Sequence, residues 1–345
     1  MTPLLTIPLL AFVLTFVMHI AALKLFPQWN LLDFPERYNL KRRRLPYPTG
    51  VLAVDSFLII FIYLNWTNFS MQEVGLLIGI FLLALTSFID DRRPIPSWLR
   101  LAFQVLIALL IFATGSRIYT ITNPLLANEF IKLDSWIFTV PIFGNLPILS
   151  GIFTVVWLML TINALNWFDG IPGQVTILST IGFLTIGLLS ISTRVNQPEF
   201  ALIAFILAAI SFGCFLFDIP PPRVVLGDSG SMFFGLMLGT LTIFAGGKVA
   251  TAFLVLGVPL IDSFFVITRR LINGKSPFKG SQSGEHLHHR LLAKGWKPKH
   301  IIALTASIGF LFGATALFLS SFQKLIAGII LFFMMLGLSW WSGRK

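Results

Sequence analysis

Charge is scarce in this chain. Only 11% of its 345 residues are Asp, Glu, Lys or Arg, whereas about a quarter is usual in a soluble domain. The chain is 56% hydrophobic and holds 35 Phe, which suits helices that face lipid. It has one cysteine, Cys214, set inside an apolar run, and this excludes an intramolecular disulfide. Internal repeats, low-complexity linkers and signs of a second domain are all lacking, so residues 1–345 read as one domain. The first apolar segment has no basic n-region and no clear small-residue cleavage site, so it reads as a retained helix and not a signal peptide. The net charge of +11 raises the question of nucleic acid. No basic face or recognition motif accompanies it, so no nucleic-acid partner is expected.

What is present is a series of apolar stretches. A membrane-spanning helix needs about 20 largely apolar residues. By that rule the sequence predicts an all-α, polytopic integral membrane protein with about eleven spans. They fall near 3–26, 50–67, 72–89, 99–115, 150–167, 174–193, 199–217, 229–246, 249–268, 300–319 and 324–342. The Lys/Arg distribution sets the orientation. One set of loops and helix ends, including Lys24 and Arg100, carries 20 of the 25 Lys and Arg residues. The exceptions are Arg117, Lys132, Arg194, Lys248 and Lys324. The rich side is therefore expected to be cytoplasmic, with the N-terminus outside and the C-terminus inside. The largest outer segment, 116–149, has short alternating pieces such as 117–122 and is expected to hold a small hairpin.

The polar residues are few and clustered. Asn163, Asn166 and Asp169 are spaced by three, so on a helix they share roughly one face. They sit where a span should leave the bilayer, just before Gly170 and Pro172-Gly173 break the helix. Capping explains Asp169-Gly170 alone, but it explains the two asparagines poorly, and polar groups at membrane depth usually face a cavity or site. Asp90 and Asp91 end the third span. Being adjacent, they point in different directions, so one can face a metal and the other a reacting group, and their repulsion can raise one pKa. A solvated helix end paired with Arg92 and Arg93 explains them equally well. Asp228 precedes a helix start with Ser229 and Ser231 beside it. Free amides there favour phosphate, several carboxylates suit Mg²⁺, and an N-cap role is compatible with both.

His286, His288 and His289 are three of the five histidines. Their spacing is not a standard zinc one and no cysteine is near. Beside Arg290 they read as a phosphate clamp. The run Lys41-Arg42-Arg43-Arg44 is by default an anchor for anionic lipid, with a substrate role for Arg44 as the second reading. All five clusters fall on the Lys/Arg-rich side. Carboxylates, Mg²⁺, basic clamps and a membrane-depth cavity together fit phosphoryl transfer to a lipid phosphate.

At these residues the chain resembles the polyprenyl-phosphate N-acetylhexosamine-1-phosphate transferases, the family that also includes the peptidoglycan translocase. The resemblance runs through Leu32-Asp33-Phe34-Pro35, Pro46-Tyr47-Pro48-Thr49-Gly50, Asp90-Asp91, Asn163 to Gly170 and Gly227 to Ser231. It continues through Pro259-Leu260-Ile261-Asp262 and Ser276-Pro277-Phe278 to His286-Leu287-His288-His289-Arg290-Leu291. The last two motifs look like the GlcNAc-type branch. The resemblance implies a Mg²⁺-dependent reaction, with Mn²⁺ as substitute. A UDP-sugar and polyprenyl phosphate would give polyprenyl-diphospho-sugar and UMP at the cytoplasmic face of the inner membrane, and a homodimer is compatible with it. By analogy Asp228 is the metal ligand, Asp90 activates the lipid phosphate, and Asp91 supports the metal or the phosphate. Asn163, Asn166 and Asp169 line the nucleotide pocket, and His286 and His288 hold the diphosphate.

Three positions depart from the family pattern. Pro172 stands where a second acidic residue is usual, Val225 where an aromatic is common, and Ser283-Gly284-Glu285 where Asp-Arg often leads into the histidines. The first two are associated with uracil binding, so the metal end looks intact and the base end altered. Competing readings are the pentapeptide-sugar branch, a catalytically impaired relative acting as a membrane assembly partner, and a transporter. One-sided clustering of the polar groups argues against the last.

Overall fold

A computed structural model describes residues 3–38, 42–126, 129–244, 249–276 and 284–344. Lys41, Lys248, Pro277, Phe278 and Ser283 lie outside the described residues. The chain is mostly helical. The helices are α1 (Pro3–Gln28), α2 (Gly50–Leu64), α3 (Met71–Arg92), α4 (Ser97–Ala113), α5 (Ile148–Phe168), α6 (Gln174–Ile191) and α7 (Pro198–Asp218). They continue as α8 (Asp228–Phe244), α9 (Val249–Val255), α10 (Gly257–Ile272), α11 (Leu287–Ala293), α12 (Pro298–Ala316) and α13 (Ser321–Gly343). Between α4 and α5 lie two short antiparallel hairpins. In one, β1 (Thr120–Thr122) pairs with β2 (Phe130–Lys132); in the other, β3 (Ile137–Val140) pairs with β4 (Gly144–Pro147). The single expected hairpin in 116–149 is thus two.

Among the described residues seven helices, α1, α3, α5, α6, α7, α12 and α13, are long and apolar enough to cross a membrane. An eighth span results if α9 and α10 are counted together, and α2, α4 and α8 are shorter apolar helices. This is a multi-pass membrane protein. The stretch 249–268, expected as the ninth span, is a pair of helices and not one. That stretch bends by 84° between α9 and α10. Pro259, in the first turn of α10, has no N–H to donate back to Val255, so the helical ladder cannot run through unbroken.

The bundle is organised around α8. Every residue from Ser229 to Ile243 is buried, the pattern of a helix that is apolar all round and enclosed by others. It packs against α5 with almost no side chain between them: a Cβ on Gly235 would lie 2.6 Å from the Thr161 carbonyl oxygen. Gly235 and Gly239 are four apart, the small-residue spacing that lets membrane helices approach closely. Trp157 on α5 donates its indole N–H to Thr242 Oγ1 at 2.9 Å, locking the same pair. At its start α8 is tied to the chain before α2. Val225 donates to the Pro46 carbonyl at 3.0 Å, and Gly50 to that of Leu226 at 2.8 Å. α1 and α13, by contrast, keep broad exposed apolar faces at the periphery.

Candidate active site

The ends of α3, α5 and α8, the start of α4, and the loop leading into α11 bring the sequence-predicted residues together at one end of the bundle. Asp90, near the end of α3, accepts from the Ile95 amide at 2.6 Å and from Arg100 on α4 at 2.8 Å. Arg100 also reaches the Asp228 carboxylate at 3.3 Å. Asp228 lies beside both Asp90 and the Asn166 amide. Asn166 in turn donates to Ser231 Oγ at 3.2 Å, which joins α5 to the first turn of α8. One guanidinium thus bridges two carboxylates from different helices.

Asp91 faces elsewhere. Its carboxylate accepts from the Tyr47 hydroxyl at 2.6 Å and from the Asp228 and Ser229 amides at 2.8 and 3.1 Å. It satisfies two of the free amides at the start of α8 from outside the helix, as a capping side chain does. Gly227 must be glycine for this to occur. It has φ +83°, and a Cβ would meet Pro48 at 2.7 Å and Asp91 Oδ2 at 2.9 Å.

Asn163 sits a turn deeper than Asn166 and donates to Gln104 on α4 and to the Met159 carbonyl, both at 2.8 Å. Its donors are therefore spent inside the bundle. Asp169 ends α5. Enclosure by the surrounding chain, followed by the charges of Asp218, Asp228 and Asp91, holds its carboxyl well above the usual carboxylate range.

The histidines arrive from the other half of the chain. Asp262, within α10, accepts from His286 Nδ1 at 2.7 Å and from the Leu287 amide at 3.0 Å, fixing the entry to α11. His286 and His288 rings lie parallel, 5.7 Å apart. His288 abuts Gly170 so closely that a Cβ there would overlap Nε2. Nε2 of His286 and both ring nitrogens of His288 are buried with no protein partner. Burial, then the neighbouring His289, His286 and Arg290, pushes the His288 pKa well below its usual value. His289 is shifted down as well, by burial and then by His286. Arg290 points away. It donates to the Ser339 carbonyl on α13 at 2.7 Å and so fastens α11 to that helix. Arg44 donates to Glu36 at 3.2 Å and lies over the Phe34 ring, in the exposed loop before α2.

Asp262, Arg100, Tyr47 and Asp218 were not singled out as site residues from sequence. Asp262 lies inside an apolar stretch and Asp218 closes another, which is a signal of function in the sequence itself. Arg100 enters the sequence argument only as a topology-setting charge. Among the described residues no three His, Cys, Asp or Glu side chains converge as a ready metal site. The donors nonetheless fit Mg²⁺, which takes hard oxygens and is commonly held by one or two carboxylates together with water and substrate phosphate. Asp228, oxygen-lined and partly exposed, is the residue that offers this, whereas the Asp91 oxygens are already occupied by donors.

The glycosyl transferase family 4 model matches residues 74–246, about half of the chain and the part that holds α3 to α8. The chain belongs to glycosyl transferase family 4. Its curated relatives include the undecaprenyl-phosphate alpha-N-acetylglucosaminyl 1-phosphate transferase of Thermotoga maritima, 28% identical over 86% of this chain and 84% of the relative. The protein of the same name from Pasteurella multocida is 27% identical over 89% and 85%. The phospho-N-acetylmuramoyl-pentapeptide-transferase of Prochlorococcus marinus is 27% identical over 76% and 74%. The family model ends at 246, so the Asp262–His286 arm lies beyond the matched segment and is joined to it by Gly170 and His288.

Proposed function

We propose that this family 4 protein transfers an N-acetylhexosamine 1-phosphate, GlcNAc 1-phosphate in the first instance, from a UDP-sugar to polyprenyl phosphate. The products are polyprenyl-diphospho-sugar and UMP, in the first membrane step of a surface polysaccharide. The observation that carries this reading is the meeting of the Asp90–Arg100–Asp228–Asn166 cluster with the unpartnered imidazole nitrogens of His286 and His288. Such a constellation offers hydrogen bonds to phosphate oxygens on one side and carboxylates on the other. Mg²⁺, held by Asp228, would supply charge neutralisation for the phosphates. Asp90 is the group proposed to take the proton from the lipid phosphate, with Arg100 setting its position. His286, oriented by Asp262, and His288, set against Gly170, grip the diphosphate.

In this reading the site faces the cytoplasm across the inner membrane, and α2, α4 and α8 complete eleven spans with the long helices and the bent pair. Asn166 and Asp169 border the nucleotide. Pro172 and Val225 leave the base end without the family's carboxylate and ring. The pentapeptide-sugar branch is disfavoured by the Glu285-His286-Leu287-His288-His289 approach to the histidines. The test is to incubate purified protein with polyprenyl phosphate, Mg²⁺ and a panel of nucleotide sugars, and to identify the lipid product and UMP. Asp228→Asn should lower turnover at least a hundredfold, about 3 kcal/mol of lost transition-state stabilisation, with an unchanged thermal midpoint. Near-normal turnover at limiting Mg²⁺ would remove Asp228 from the metal role.

A further inference from the structure

At the end of the bundle away from the carboxylates, α9 and α13 diverge and leave a groove of about 560 Å³ beneath β1. This volume falls in the range of small-molecule sites. The two ends of α13 fix the direction. Ser339, near its C-terminus, receives Arg290 from the active-site side, whereas the groove runs along Ser321 to Phe333. Its floor is apolar, made by Phe253, Leu325, Ile329, Phe332 and Phe333, and its polar groups are Thr122, Thr251, Ser321 and Lys324. Lys324 is the one charged side chain among these lining residues. It donates to Thr251 Oγ1 at 2.8 Å, which holds the ammonium at the junction of α9 and α13. The first turn of α13 contains no acidic residue, so the lysine charge adds to the positive end of the helix.

We propose that this groove binds an anionic glycerophospholipid of the bilayer leaflet at that end, with its phosphate at Lys324 and an acyl chain laid toward Phe333. The surroundings favour a lipid, because the adjoining face of α13 exposes Phe322, Ile326, Ile330 and Phe333 on a helix built to span. The length favours a single-leaflet chain. At 1.5 Å per residue, Lys324 to Phe333 covers about 14 Å, and half of a ~30 Å hydrocarbon core is about 15 Å. The polar rim beside an apolar floor favours an amphiphile, and the sign of Lys324 favours a negative headgroup. Gly328 keeps the groove open: a Cβ there would find only Phe253, at 3.7 Å, so a side chain can enter without moving the backbone. This site is independent of the proposed transfer reaction.

Native mass spectrometry on the delipidated full-length protein tests the proposal, with phosphatidylglycerol, phosphatidylcholine and polyprenyl phosphate added in separate arms. Phosphatidylglycerol should bind most tightly. Lys324→Gln should weaken it about fivefold and leave phosphatidylcholine unchanged. Gly328→Leu should remove the phosphatidylglycerol adduct, with the thermal midpoint reporting that the fold persists. Should that variant not fold, Lys324→Gln still decides. Equal binding of the two phospholipids would overturn the proposal. So would insensitivity to Lys324→Gln, preferential capture of polyprenyl phosphate by the same residues, or a dimer covering the groove with no lipid retained.

Discussion

Two neighbouring aspartates, Asp90 and Asp91, show how little adjacency says about role. Asp90 turns to Arg100 and the Asp228 carboxylate, while Asp91 turns to the start of α8. We expect Asp91→Ala to cost about 1–2 kcal/mol, the loss of a helix cap, visible as a lowered thermal midpoint, whereas Asp228→Asn leaves the midpoint in place. An Asp91→Ala protein as stable as wild type but inactive would return Asp91 to the metal or phosphate role expected from sequence. His288 gives a pH dependence. Its folded pKa lies well below the 6.5 of the unfolded chain. Below pH 6.5 the unfolded state therefore takes up a proton that the folded state refuses. The associated stability is complete above 6.5 and declines as pH falls, by up to about 1.4 kcal/mol per pH unit. Thermal midpoints measured between pH 7.5 and 5 should fall less steeply in His288→Gln, and identical slopes would refute the assignment. The identities of Asp90, Asp228, Asn166 and His288 as polar intruders were legible in the sequence. Their partners were not, because Arg100 reaches Asp90 and Asp228, and Asp262 reaches the neighbouring His286, across gaps that spacing along the chain does not encode.

Among the helices, α8 and the α9–α10 pair teach opposite lessons. A 17-residue helix that is mostly apolar after its first turn reads as a span from sequence. That it is the centre of the bundle follows from its small residues, since Gly235 and Gly239 admit α5 where any side chain would hold it off. A Cβ on Gly235 would stand 2.7 Å from Ile162 Cα, a backbone atom that cannot turn aside. We expect Gly235→Leu to cost about 1–3 kcal/mol or more as overpacking, and to separate Asn166 from Ser231 and Asp228 at the ends of the same two helices. Loss of detergent stability together with loss of nucleotide-sugar binding is the expected result. A stable variant that binds normally would show that α5 and α8 position the site through other contacts. Hydropathy counts apolar residues without regard to direction, so the 84° bend over 249–268 escaped it. Gly257 and Pro259 were the readable signs. Gly257 also leaves room for Leu331 of α13, a contact that only the packed bundle reveals.

For the molecule as a whole, the direction of insertion decides which compartment supplies the nucleotide sugar. The Lys/Arg bias puts the Arg42–Arg44 loop, the ends of α3 and α5 and the start of α11 on one side, and the two β hairpins on the other. The fold joins the first group at one end through the Tyr47–Asp91 bond, Arg100 and the Gly170–His288 contact, of which only Arg100 is counted in the Lys/Arg bias. The hairpins follow α4 and precede α5, whose opposite ends carry Arg100 and Asp169, so they belong at the far face. Nothing in the helix packing distinguishes inside from outside, and charge alone orients it. Cys214 is buried and is the one thiol, so a Cys214→Ala background leaves a clean surface for labelling. Arg43 and Thr139 are both exposed, one in each group. In intact cells an impermeant thiol reagent should label Thr139→Cys and spare Arg43→Cys, and permeabilisation should make Arg43→Cys reactive. Labelling of Arg43→Cys from outside would reverse the insertion. The carboxylates and imidazoles would then face a compartment without nucleotide sugars, and the proposed transfer would fail with the topology.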